Sequence, residues 1–275
     1  MIRPDFGIKV VALDRFRASN RRFVLFFALV CLFCRSGLAK AGQDSIRGPN
    51  PPVPGESQKI TAPYIVLGFV GGWVRHDDLV HSEVQLAASL QKAYGPGVDV
   101  ETFENSNGKK ALRRILAILD TNHNGTLTAA EKQDARIILY GHSWGASEAI
   151  TLARQLGANG IPVLLTIQVD SVTKRRENDT VIPGNVSQAV NFYQPNGFVH
   201  GHSEIRAADP ARTKIIGNFK FSYQTSRYAC TEYPWYDHLF AKSHTQIECD
   251  PNVWKQVESL IREYLPPMPS SEANH

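Results

Sequence analysis

The chain has little charge, few cysteines, no internal repeat and no apolar run long enough to cross a bilayer comfortably. Each shortage removes a class of protein. Charged residues make up 20% of the 275, against 43% hydrophobic, an ordinary globular balance that argues against global disorder. The formal charge of +4 does not describe a basic surface, because residues 1–41 hold eight Lys or Arg (Arg3, Lys9, Arg15, Arg17, Arg21, Arg22, Arg35, Lys40) against Asp5 and Asp14. Taking these from the totals of 30 and 26 leaves 22 basic and 24 acidic residues, a net of about −2. That balance gives no reason to expect a nucleic-acid partner. The apolar run FVLFFALVCLFC, residues 23–34, falls short of the ~20 residues a spanning helix needs, so no stable membrane span is expected.

What is present at the N-terminus has the layout of an export signal. Arg21 and Arg22 precede the apolar run, and Ala39-Lys40-Ala41 follows it with small-x-small cleavage spacing. Residues 1–41 are therefore read as a signal peptide cleaved after Ala41, which makes the protein secreted or periplasmic. Cys31 and Cys34 leave with the signal, and the remaining Cys230 and Cys249 are natural disulfide partners in an exported chain. Residues 42–59, rich in Pro and Gly, read as a linker or N-terminal arm, 60–265 as the folded domain, and 266–275 as a disordered tail.

Within the domain, apolar strands alternate with helical spacing. Strands are predicted at 64–70, 98–103, 136–142, 161–170 and 189–194, and helices at 79–94, 109–120, 145–156 and 252–265. Such alternation implies right-handed crossovers and a doubly wound, mostly parallel sheet in a three-layer α/β fold. The stretch 171–240 has weak periodicity and is left unassigned; its aromatics (219–240) suit either core packing or an acyl pocket.

Gly141-His142-Ser143-Trp144-Gly145 fits G-x-S-x-G between a predicted strand and a predicted helix. A sharp turn there pushes the serine hydroxyl out of the sheet, and the helix N-terminus offers positive dipole to a developing oxyanion. In this context IILYGHSWGAS resembles the nucleophile elbow of the α/β-hydrolase superfamily. Two further stretches are similar to that superfamily. YIVLGFVGGW enters a glycine-rich turn where the family keeps an oxyanion-hole amide, which implies the N–H of Phe69 or Val70 beside that of Trp144. HTQIECDPNVWKQVESLI resembles the catalytic histidine loop before the last helix.

A serine nucleophile needs a base near neutral pKa, which points to histidine. His244 fits the family layout better than His238. For the acid that would orient it, Asp170 at the end of VLLTIQVD is preferred, with Glu204 and Asp209 in reserve. The resemblance implies a serine hydrolase of the esterase or lipase kind acting on an ester or lipid-like substrate; amide and thioester substrates stay open. The competing class is a non-catalytic, calcium-dependent binding module on the same scaffold.

DTNHNGTLTAAE, residues 120–131, matches D-x-[DN]-x-[DN]-G-x5-E and resembles an EF-hand loop. Asp120, Asn122, Asn124, Thr126, Thr128 and Glu131 would hold Ca2+, with Gly125 making the turn. With only two full charges, affinity is expected in the ~0.1–1 mM range of extracellular modules. The ion would pin a crossover whose strand ends at Ser143. His76, Asp77, Asp78 and His81 also cluster at a helix start; a metal site is conceivable there, although acids at a helix N-terminus need no metal to explain them.

Overall fold

The computed structural model describes residues 63–224, 228–234 and 241–268. The export segment 1–41, the arm 42–59, His238 and the tail beyond 268 lie outside the described residues. Six parallel strands form the central sheet: β1 (Tyr64–Val70), β2 (Val98–Glu104), β3 (Arg136–His142), β4 (Val163–Val169), β6 (Val186–Tyr193) and β8 (Lys214–Lys220). Their order is β2-β1-β3-β4-β6-β8. The chain steps outward from β1 to β2, then returns past β1 to β3, so the winding reverses between β1 and β3. Clefts form at the carboxyl ends of strands at such a switch point. Two short strands, β5 (Val181–Ile182) and β7 (Arg206–Ala207), pair as a separate parallel ribbon.

Helices cover both faces. On one, α2 (Gly108–Leu119) and α4 (Trp144–Ala158) pack over β1 and β3. α2 buries Ala111, Ile115 and Leu119, one helical face at i, i+4, i+8, and leaves its lysines and arginines outside. The other face takes α1 (Ser82–Tyr94) and the closing helix α6 (Pro251–Arg262), which buries Val253, Trp254, Val257 and Ile261. Strands β1 and β3, covered on both sides, are almost uniformly buried, which is why they read as continuous apolar runs. The short α3 (Ala129–Gln133) and α5 (Lys242–Cys249) complete the described helices.

The segment 171–240 holds β5 through β8. Strand β8 is an edge strand with Lys214 and Lys220 at its exposed ends, the charged edge that discourages pairing with other chains. Its poor alternation concealed it in the sequence. His244 lies on a helix, α5, rather than in a loop. Cys230 and Cys249 form a disulfide with Cα atoms 5.9 Å apart, closing a 19-residue separation and contributing ~3 kcal/mol in the chain-entropy picture. Among the described residues, no helix is long and apolar enough to cross a membrane.

Candidate active site

Ser143 sits between β3 and α4 with φ 55° and ψ −126°, a left-handed conformation costly for a side-chain-bearing residue. Three backbone bonds hold it there: its N–H donates to the Val169 carbonyl at 3.0 Å, and its own carbonyl accepts from Ser147 N–H and Val172 N–H, each at 3.3 Å. The flanking glycines allow the turn. A Cβ on Gly145 would stand 2.1 Å from the Phe69 oxygen, and one on Gly141 would stand 2.6 Å from the Gly145 carbonyl carbon.

Asp170 follows β4 at zero exposure, also at positive φ (44°). Its carboxylate accepts four hydrogen bonds. Oδ1 takes Gln194 N–H at 3.1 Å and Gly201 N–H at 2.7 Å, while Oδ2 takes Gln194 Nε2 at 2.8 Å and His244 Nδ1 at 2.6 Å. A buried carboxylate is tolerated when its lone pairs are filled in this way. The approach of Gly201 requires a glycine, since a Cβ there would lie 2.4 Å from the Asp170 carbonyl carbon. With Nδ1 donating to Asp170, His244 keeps Nε2 for the cleft.

Ser143, Trp144 and His244 line one cleft of about 280 Å³ together with Gly71, Gly72, Trp73, Val74, Val172 and Val199. Trp73 is 93% exposed and meets the Trp144 ring edge-on at 5.3 Å. Asp170 and His244 are thus joined, and Ser143 shares their cleft; among the described residues, Ser143 Oγ makes no hydrogen bond. Of the reserve acids, Asp209 spends Oδ1 on Ala211 N–H in its own turn at 3.0 Å, and Glu204 is exposed.

Phe69 and Val70 do not reach the cleft. β1 continues through both, in register with Phe103 and Glu104 of β2, and both are fully buried. The turn begins at Gly71, so the residues of this segment that face the cleft are Gly71, Gly72 and Trp73.

Sequence reading missed what lies behind Ser143. His142 is buried and its ring packs 4.4 Å from that of His244. On its other side stand His81, Glu83 and Glu248. His81 Nδ1 meets Glu248 Oε1 at 2.5 Å, and His142 Nδ1 lies 3.3 Å from Glu248 Oε2 and 3.9 Å from Glu83 Oε1. Burial, then the neighbouring His244 and His81, hold His142 well below the usual histidine range. Burial, then the facing Glu248 carboxylate, push Glu83 well above the usual carboxylate range. The cluster suspected at 76–81 is dispersed: His76 bonds Glu104 at 2.7 Å, Asp77 pairs with Arg75, and only His81 turns inward.

The 120–131 loop lies elsewhere. It joins α2 to the start of β3, and seven strand residues, ~20 Å, separate that end from Ser143. The ion would therefore brace the amino end of β3, not the elbow itself. The loop is closed by its own amides: Asp120 accepts Asn124 N–H at 3.1 Å and Gly125 N–H at 2.8 Å, and Asn124 Oδ1 accepts Thr126 N–H at 2.8 Å. Thr128 is the N-cap of α3 in a capping box with Glu131, so its hydroxyl is committed to the helix rather than to the loop centre. Hydrogen bonds from Thr128 and Thr121 hold Glu131 down at about 2. A larger cavity of about 370 Å³ borders this loop at Asp120, Gly125 and Leu127, remote from Ser143.

No family model matches the chain, and no curated protein matches it. Among solved structures, it is similar to a cutinase-like protein from Cryptococcus sp., with 13% identity, a TM-score of 0.38, and 74% of this chain and 94% of that one covered. A crystal structure assigned as a ydeN-like hydrolase from Pectobacterium atrosepticum gives 13% identity and a TM-score of 0.37 over the same shares of the two chains. An acetyl xylan esterase gives 14% identity, a TM-score of 0.29, and coverage of 66% and 99%.

Proposed function

We propose that the protein is an exported serine hydrolase that cleaves a small ester or lipid-like acyl substrate. The observation that carries this is the Asp170–His244 pair, buried, 2.6 Å apart and opening on the cleft where Ser143 is held at positive φ. Three bonds from Gln194 and Gly201 fix the Asp170 carboxylate, and the fourth, from His244, would beside a serine fix the tautomer and stabilise the imidazolium.

In this mechanism His244 Nε2 takes the Ser143 proton as Oγ attacks the acyl carbon. The oxyanion is met by the N–H of Trp144, which as first residue of α4 has no intrahelical partner, and by an amide of the Gly71–Trp73 turn. His244 then returns the proton to the leaving alcohol, and water repeats the sequence in reverse to free the acid. Val74, Val172 and Val199 give the cleft an apolar wall for the acyl group. The Cys230–Cys249 bridge suits the oxidising compartment that export implies.

The test is intact-mass labelling with a fluorophosphonate. One adduct is expected, absent in Ser143→Ala. A folded protein that takes no adduct has an incomplete triad, and the binding-module alternative then replaces this reading.

The 120–131 loop is proposed to hold a structural calcium ion, since Asp120, Asn122, Asn124, Glu131 and the Thr126 carbonyl form the all-oxygen donor set calcium requires. Binding at ~0.1–1 mM affinity would stabilise the fold by about 0.6–1.8 kcal/mol in ~2 mM calcium and raise Tm by roughly 1–7 °C. Differential scanning calorimetry with calcium and with chelator checks this; a Tm indifferent to both rejects the site.

A further inference from the structure

We infer that His81, Glu83, Glu248 and His142 form a binding site for a divalent transition-metal ion of the zinc class in the inner wall of the cleft, directly behind Ser143. The inference is independent of whether Ser143 is a nucleophile.

Three observations carry it. One ligand atom from each of His81, Glu83 and Glu248 lies within 4.8 Å of the other two, and all three residues are buried. Tetrahedral zinc with bonds of ~2.0–2.1 Å sets its ligand atoms roughly 3.3 Å apart, so side-chain shifts of about an ångström would admit the ion. The second observation is what the protein alone leaves unanswered. Among the described residues, neither carboxylate oxygen of the fully buried Glu83 has a hydrogen-bond partner, and neither ring nitrogen of His142, 3% exposed, makes a hydrogen bond, its Nδ1 only standing 3.3 Å from Glu248 Oε2. Buried polar groups are paired in nearly all cases, and a bare buried carboxylate is among the costliest exceptions. A divalent cation would supply the missing partner to Glu83 and to a neutral His142 ring, and would balance the two carboxylates of Glu83 and Glu248.

The third observation is that the group is held in place by its backbone. Tyr140 Oη donates to the Glu83 carbonyl at 2.8 Å, and Trp254 Nε1 donates to the Glu248 carbonyl. Tyr140 can lie there because position 68 is glycine; a Cβ on it would stand 2.4 Å from the Tyr140 ring. His81 is the N-cap residue of α1, Glu83 stands in its first turn, His142 ends β3 and Glu248 belongs to α5. α1 and α5 thus deliver the three grouped donors, and β3 sets His142 Nδ1 3.3 Å from Glu248 and 3.9 Å from Glu83 beside them.

The donor set of two imidazoles and two carboxylates selects the ion class. Imidazole favours zinc and its neighbours, whereas calcium takes six to eight oxygens. The site therefore differs in chemistry, as in location, from the 120–131 loop. His81, His142 and Glu248 also border the cleft, which gives the ion an entry path.

The experiment is titration of the full-length, chelator-treated protein with zinc chloride by isothermal calorimetry, with melting temperature followed in parallel. One zinc per chain is expected, and at 100-fold excess over Kd a rise in Tm of roughly 5–10 °C. Glu83→Gln should weaken binding at least ~100-fold, while its metal-free form melts no lower than wild type because a neutral amide replaces a buried acid. Glu248→Gln is the second ligand variant and should also lose the zinc response, whereas Asp120→Asn should keep it. Zinc that still binds one per chain in both Glu variants is held elsewhere and overturns the assignment. No zinc uptake by wild type also overturns it, and identifies Glu83 and Glu248 as a carboxylic acid–carboxylate pair sharing a proton.

Discussion

Asp170→Asn is expected to lower kcat on any ester the protein cleaves by about 10⁴-fold while leaving the fold intact. The size of the effect follows from the four hydrogen bonds. Asparagine keeps an oxygen at the Oδ1 position, where Gln194 N–H and Gly201 N–H are satisfied as before. It places an amide NH2 at the Oδ2 position, opposite His244 Nδ1. Two donors cannot face each other, so the imidazole is driven to the tautomer with its proton on Nε2. That atom can then no longer accept from Ser143.

Gln194 Nε2, which also meets Oδ2 at 2.8 Å, would have to turn its amide and give up its bonds to the Val199 carbonyl and from Asn196 N–H, a change confined to the 194–199 turn. KM should move little, because the substitution touches neither the Gly71–Trp73 turn nor the apolar wall. Steady-state kinetics and circular dichroism on the purified variant check the prediction. A loss smaller than tenfold with the fold preserved would remove Asp170 from the triad. Asp209→Asn serves as the matched control and should leave kcat unchanged, since its carboxylate only closes a local turn.

The same residues show what local sequence can and cannot convey. Strands β1 and β3 agree with their predicted ranges because central parallel strands are apolar on both faces, and the shortness and β-branched and aromatic content of YIVLGFV and RIILYGH favour a strand over a buried helix. Ser143 was legible because a strand–turn–helix with two glycines is a local pattern. Asp170 was legible as a strand end at the sheet edge that carries Ser143, which set it above Glu204 and Asp209, but its partner is 74 positions away. Phe69 and Val70 were assigned to the oxyanion hole by family likeness, although the same reading ended the strand at Val70; the residues of this segment that border the cleft begin at Gly71. The His81–Glu248 contact, 167 positions apart, had no local signature at all: Glu83 and Glu248 each look like ordinary acids on amphipathic helices. The edge strand β8 was missed for the opposite reason, since its half-exposed pattern carries little contrast.

Gly145→Ala is expected to lower Tm by roughly 4–8 °C and to reduce turnover more than ~10²-fold. Helix propensity points the other way. Gly145 is the second residue of α4, and alanine inside a helix is favoured over glycine by up to ~1 kcal/mol. Packing decides the sign: the new Cβ would lie 2.1 Å from the Phe69 oxygen, 2.6 Å from its carbon and 2.8 Å from the Val70 oxygen. These are backbone atoms of a central strand, fixed by pairing on both sides with β2 and β3, so no side chain can rotate away. Overpacking of this kind costs about 3 kcal/mol, leaving a net loss of about 2 kcal/mol after the propensity gain.

Relief must come from α4 moving away from β1, and Ser143 is the residue immediately before that helix. A shift there carries Oγ away from His244, which Asp170 anchors through a different strand; hence activity should suffer more than stability. Gly97→Ala provides the contrast, because nothing lies within 4 Å of a Cβ at that position, and it should melt and turn over like wild type. Thermal denaturation together with fluorophosphonate labelling rates reads both effects. A Gly145→Ala protein that melts with wild type would show that the elbow does not press α4 against β1, and the glycine in the motif would then need another cause.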